Sequence, residues 1–310
     1  MYRRCEHRQK NKWKLPQQNS RYSRSSSRLG LTLLELLIAL SIMVMVVGAL
    51  GGLARAVQSG SAYSEGRGAA TQHARVALER ITRTVDEAVA NEQFPGILVL
   101  AEQEGSWRFP DTLAVWHPEP SVLAAHPERA ALDDPNRLPF HDELVVFCPD
   151  PGAPNRLVEI RSTRSVPLSS NAAAWPAEIE VFKSAMTLDT AAFSGVGATA
   201  PTYPAVTLTE LLRSSRAGDS HLAEVRGAVR FERRLRPSDD EWKSSTAWES
   251  LPWVQGVYGA NTGLRQAWLR VELQLMPNEI AGQLDASEPQ ATTFFGSAAV
   301  YYPMHRERRP

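Results

Sequence analysis

The longest unbroken hydrophobic pattern in the chain runs from Leu31 to Ala54, LTLLELLIALSIMVMVVGALGGLA, with Glu35 as its only charge. Read as a helix, these 24 residues rise about 36 Å, enough to cross a hydrocarbon core of about 30 Å with some tilt. Beyond it the period changes. Ala74, Leu78, Ile81, Val85 and Val89 recur at three- and four-residue intervals, which predicts an amphipathic helical arm with one apolar stripe. Glu79–Arg83 and Arg83–Glu87 are opposite charges at i, i+4 on its wet side. Gly60, Gly66 and Gly68 fall between the two parts, and bending or local melting is expected there. Phe94-Pro95-Gly96 is a stop signal, so the helical region is placed at 31–94.

After Gly96 the pattern turns to short strand-like runs divided by Pro-rich loops. They are Ile97–Leu100, Thr112–Trp116, Leu144–Phe147, Leu157–Arg161, Ile179–Phe182, Ala228–Leu235, Ala267–Leu275 and Phe294–Tyr302. In the run from Trp268 to Leu275, Leu269, Val271, Leu273 and Leu275 alternate with Arg270, Glu272 and Gln274. That is an antiparallel strand with one wet face. Val206–Ser214 reads as a short helix, and His117–Pro139, with five prolines, as a long surface loop. The expected fold class is α+β: a long N-terminal membrane-spanning helix, then a large antiparallel β-rich head domain over 95–310.

Composition changes this picture in one respect. The net charge of zero hides nine basic residues against Glu6 alone in residues 1–30, so the remainder is acidic. An acidic body argues against nucleic-acid binding, which needs clustered positive charge. By the positive-inside rule the basic segment stays cytoplasmic and everything after Arg55 is exported. Of the two cysteines, Cys5 lies in the basic segment, and Cys148 reads as a small buried core residue.

Glu35 separates the readings of the apolar segment. A secretory signal has a shorter apolar region followed by a small-residue cleavage site, for which Ala54-Arg55-Ala56 is a superficial match. A plain anchor fits the length but gives no reason for a carboxylate that costs about 2.5–3.5 kcal/mol in a membrane helix. Gly30-Leu31-Thr32-Leu33-Leu34-Glu35, behind a basic leader, resembles the processing site of type IV prepilins and type II secretion pseudopilins. Two departures from the family pattern are Leu31 where phenylalanine is usual and a 30-residue leader longer than most.

The resemblance implies cleavage between Gly30 and Leu31 by a prepilin peptidase/N-methyltransferase, with N-methylation of Leu31. It also implies that Glu35, then the fifth residue, pairs with the α-ammonium of a neighbouring pilin or pseudopilin subunit in the inner membrane. The implied plan is pilin-like, and within it the layout is similar to the larger minor pseudopilins, the J-type component in particular. The implied role is a non-enzymatic subunit of a secretion filament. The alternatives are a minor pilin for adhesion, motility or DNA uptake, and an anchored exported enzyme or binding module using the same signal.

Catalytic patterns are sparse. His117, His126, Asp133, Asp134, His141, Asp142 and Glu143 gather acids and imidazoles without HExxH or CxxC spacing, and read as a solvated loop. Ser184 lacks a GxSxG elbow, and neither Gly51-Gly52 nor Gly195-Val196-Gly197 completes a phosphate loop. No cofactor or metal is expected. Arg226, Arg230, Arg233, Arg234 and Arg236 read as the exposed side of a strand offset by nearby acids. Trp242, Trp248 and Trp253 hint at a partner surface.

Overall fold

The structure is a computed structural model that describes residues 32–129, 131–132, 134–188, 203–216, 224–238, 240–241, 262–277 and 291–305. Its elements in chain order are α1 (Leu33–Asp86), β1 (Ile97–Glu104), β2 (Trp107–Trp116), α2 (Pro120–Ala125), β3 (Leu144–Asp150), β4 (Ala153–Arg161) and α3 (Trp175–Ser184). There follow β5 (Thr187–Leu188), β6 (Pro204–Thr209), β7 (Ser214–Arg216), β8 (Val225–Gly227), β9 (Val229–Arg236), β10 (Thr262–Leu275) and β11 (Thr292–His305). Two compact units emerge, Met1–Val57 and Gln58–Pro310.

In the first unit every described residue is solvent-facing, and its helix carries large apolar side chains on all sides. A helix apolar all round belongs in lipid or in a large core. No part of its apolar window is buried in the protein.

The second unit is built on a six-stranded sheet, β1-β2-β3-β4-β6-β5, antiparallel except for the β5–β6 pair. A three-stranded antiparallel sheet, β11-β10-β9, and a β7–β8 ribbon complete it. The β10–β11 ladder runs unbroken from Thr262↔His305 to Leu275↔Thr292. Both faces of the six-stranded sheet are covered, which is why Leu144-Val145-Val146-Phe147-Cys148 is continuously apolar rather than alternating. Val145 and Phe147 join a core with Ala70, Ala74, Ala77, Ile81 and Val85 of α1 and the inner residues of β9, β10 and β11. Leu144, Val146 and Cys148 pack on the other face with Ile179 and Phe182 of α3. Leu269, Val271, Leu273 and Leu275 of β10 are all fully buried, in the phase that the alternation predicts.

Four local expectations need correction. The glycines at 60, 66 and 68 do not interrupt α1. A cost of about 1 kcal/mol each is small beside the packing of the arm. Gly66 in addition lets Pro277 approach, because a β-carbon there would sit 3.1 Å from Pro277 Cβ. The helix ends at Asp86 and not at 94. The Val89 amide leaves the helical pattern to donate to Trp116 O at 2.9 Å, and the Asn91 side chain accepts from the Gln93 and Phe94 amides.

Ile179–Phe182 is part of helix α3, not a strand. Trp175, Ile179 and Phe182 share its buried face, and Pro176 in its first turn needs no partner for a missing N–H. Val206–Ser214 is not a helix: it supplies most of β6 and the start of β7, because β4 offers a ladder to Ala205–Thr209. Among the described residues of the loop from His117 to Pro139 the structure adds α2.

Candidate functional site

At the start of α1, Thr32 and Glu35 form a reciprocal cap. The Thr32 amide and hydroxyl donate to Glu35 Oε2 at 2.9 and 3.0 Å, and the Glu35 amide donates to Thr32 Oγ1 at 3.3 Å. This is the S/T-x-x-E capping box. It places an acceptor where the first helical turn has unpaired N–H groups, and where the helix dipole favours negative charge. Ser41, the next polar group, donates to Leu37 O at 2.8 Å, so its hydroxyl is also satisfied within the helix. Gly30 and Leu31 lie outside the described residues.

In the second unit the acids and histidines of the 117–143 region are not a solvated loop. Glu143 is fully buried and is the centre of a polar cluster. Its Oε1 accepts from Arg129 Nη1 at 2.9 Å and Arg137 Nη2 at 2.6 Å. Its Oε2 accepts from Trp116 Nε1 at 3.2 Å and the Phe140 amide at 3.1 Å. Arg129 also grips both oxygens of Asp142, at 3.0 and 2.8 Å. The histidines are scattered among separate partners: His117 with Glu87, His126 with Glu128 and His141 with Glu178. Among the described residues no three His, Cys, Asp or Glu side chains are placed to hold a metal. Asp133 lies outside them.

Arg226 is likewise not on an exposed strand face. It is largely buried, at 2.6 Å from Glu102, 3.2 Å from Glu104, 3.4 Å from Asp111 and 3.2 Å from Glu224. Its guanidinium lies over the Phe109 ring at 4.7 Å. Arg233 donates to Ile97 O, and Arg234 pairs with Glu232 along its own strand. A cavity of about 600 Å³ beside Arg226 is lined by Glu102, Asp111, Asp150, Glu180 and Lys183 among others.

Burial pushes the Lys183 ammonium down to about 8, and the Arg226 charge adds to the effect. Burial pushes the Asp111 carboxyl up, against the opposing pull of Thr112 and Arg226. Cys148, on the sheet behind, has its thiol pushed well up by burial, so it is an inert core residue and not a nucleophile. Ser184 Oγ donates to Val181 O at the end of α3. Trp242, Trp248, Trp253 and Gly195-Val196-Gly197 lie outside the described residues.

Sequence reasoning missed the Glu143 and Arg226 clusters. Arg226 draws on Glu102, Glu104 and Asp111, 115 to 124 positions away, while Arg129 and Arg137 lie 14 and 6 positions ahead of Glu143 in an irregular segment, so no periodic spacing announces either cluster. The one local signal was a glutamate just ahead of an apolar strand, at Glu143-Leu144.

The described residues therefore define an α+β chain with an N-terminal helix long and apolar enough to cross a membrane. Comparison with family models, with curated proteins and with solved structures gives no match for this chain.

Proposed function

We propose that this chain is a prepilin-type subunit, processed after Gly30 and assembled through its apolar helix into a pilin-like filament, as a minor subunit in protein secretion. The observation that carries the reading is the order Gly30, apolar Leu31, Thr32 and Glu35 between a basic leader and an apolar helix. The Thr32–Glu35 cap supports it. It gives the carboxylate a partner inside its own chain, which lowers the cost of holding that charge near lipid until a neighbour's α-ammonium arrives.

On this reading the leader faces the cytoplasm, following its basic residues, and the head faces the exported side. The subunit acts by assembly, with the prepilin peptidase/N-methyltransferase and other filament subunits as its partners. The bulk of the head favours a tip or minor position over a close repeat along a thin filament. A test is Gly30→Ile expressed with a prepilin peptidase. The reading expects the precursor to accumulate uncut, while Glu35→Gln is cut normally but is lost from filaments. Normal processing of Gly30→Ile sinks it.

A further inference from the structure

β11 is the edge of its sheet: it pairs with β10 on one side, and among the described residues no strand pairs with the other. An open strand edge presents a row of N–H and C=O groups to any strand that comes alongside, and proteins guard such edges with charge, brevity, irregularity or cover. The other edges of the two larger sheets are guarded. β9 carries Arg230, Glu232, Arg233, Arg234 and Arg236, β5 has two residues, and β1 ends in Glu102 and Glu104 and gives Ile97 O to Arg233. β11 lacks these protections over most of its length. It is 14 residues long and in unbroken register, has no charged side chain from Thr292 to Met304, and has its one proline near the end, at Pro303. Phe295 and Tyr301 on its outer face are 57% and 60% exposed.

A hollow of about 500 Å³ runs beside this strand, lined by Thr71, Arg75, Leu78, Glu79 and Thr82 of α1 and by residues 294–297 of β11. Phe294 and Gly296 belong to the inward phase of the strand, Phe295 and Ser297 to the outward phase. No residue of β10 takes part. A hollow that touches both phases and misses β10 lies at the free edge. α1 is its second wall: a β-carbon on Gly296 would sit 3.0 Å from Leu78 Cδ2. The walls hold one cation, Arg75, and one anion, Glu79, so they favour an occupant without net charge. Leu78, Phe294 and Phe295 offer it apolar surface. A strand edge beside a helix takes an extended peptide as an added strand, backbone bonds supplying affinity and the hollow selecting a side chain.

We propose that the free edge of β11 and the hollow beside α1 form a docking groove for an extended, uncharged segment of a second polypeptide. The segment adds as a fourth strand to the β11-β10-β9 sheet and lodges an apolar side chain against Leu78. The groove lies on the second unit and is independent of the reading of the N-terminal motif.

The test uses the full-length chain in lipid nanodiscs and three capped, fluorescent heptapeptides. They are Thr-Val-Thr-Leu-Thr-Val-Thr, the same peptide with proline at its third and fifth positions, and the same peptide with aspartate in place of leucine. The first should bind saturably, with slowed amide exchange in β11. The proline peptide, which lacks two backbone donors, and the aspartate peptide should each be about tenfold weaker or worse. Thr71→Trp fills the hollow and Phe295→Lys sets a charge on the edge. Both positions are exposed, so native circular dichroism is expected, and each variant should weaken the first peptide about tenfold. No saturable binding, a proline peptide that binds as tightly, or affinity unchanged in both variants would overturn the assignment. Self-association of the chain that Phe295→Lys abolishes would give the edge to a second copy and overturn the proposed partner.

Discussion

Arg80 of α1 and Glu159 of β4 face each other as a two-point ion pair, Arg80 Nε and Nη2 donating to the two carboxylate oxygens at 2.6 and 2.7 Å. The pair spans 79 positions of sequence and fixes the rotation of the helical arm against the six-stranded sheet. Burial alone would raise the Glu159 carboxyl, but the bond from Arg80 and the Arg161 charge carry it below the ordinary range.

Because that carboxyl is depressed on folding, its contribution is complete above the unfolded-state value near 4.5 and is lost as pH falls through the folded one. Arg80 is 42% exposed, so solvent screens the pair. Glu159→Gln should cost about 1–2 kcal/mol at neutral pH, or roughly 3–6 °C in melting temperature. It should also remove part of the acid sensitivity. Arg80→Met should cost less, because Arg161 still donates to Glu159 at 2.9 Å. Arg80→Glu, which sets two carboxylates together, should cost the most. Thermal melts by circular dichroism between about pH 3 and about pH 7 check the order.

Lys183 gives a slope of the same sign in a more alkaline window. Its ammonium is held down to about 8 by burial first and the Arg226 charge second, with Glu224 pulling the other way, while Glu102 and Glu180 lie against it. Between about 8 and the unfolded value of 10.5 the unfolded chain keeps a proton that the folded chain has released, so stability gains a rising term with pH. Denaturant unfolding near pH 7 and near pH 10 should show that rise, and Lys183→Met should flatten it. An equal rise in the variant would assign the slope to other groups.

Gly96 turns the chain into β1 with φ at +78°. A β-carbon there would meet Val89 O at 2.8 Å, Ala90 Cβ at 2.9 Å and Val300 Cγ1 at 3.0 Å. Strain and clash act together, so Gly96→Ala should destabilise the second unit by about 2 kcal/mol or more. Chemical denaturation of wild type and variant measures it.

The Thr32–Glu35 cap is also open to test. Thr32→Val removes the hydroxyl bonds in both directions and leaves the Thr32 amide to Glu35. The first turn should fray, with a loss of about 0.5–1 kcal/mol. The readout is faster hydrogen exchange at the Glu35 amide in micelles, with exchange near Val46 unchanged.

Legibility in the sequence followed the reach of the forces. The period-two stretch Leu269–Leu275 and the solid run Leu144–Cys148 report local packing against covered faces, and both read directly. Ile179–Phe182 misled because Glu178, Ile179, Glu180 and Val181 alternate as a strand would, while the deciding partner, Trp175, sits one turn earlier. The glycines of α1 misled because intrinsic propensity is weak beside the alanine face at Ala70, Ala74 and Ala77. The Glu143 cluster was invisible because Trp116, Arg129 and Arg137 meet it only through the fold. At the N-terminus the motif was legible in Gly30–Glu35, but the partner that Glu35 finds in Thr32 became visible only with the helix start.

The most direct measurement is the N-terminus of the chain isolated from the membranes of cells that express a prepilin peptidase. Mass spectrometry of its first proteolytic peptide should find a chain that begins at Leu31 and carries one additional methyl group on the α-amine. A chain that begins at Met1, or one cut after Ala56, would contradict the account.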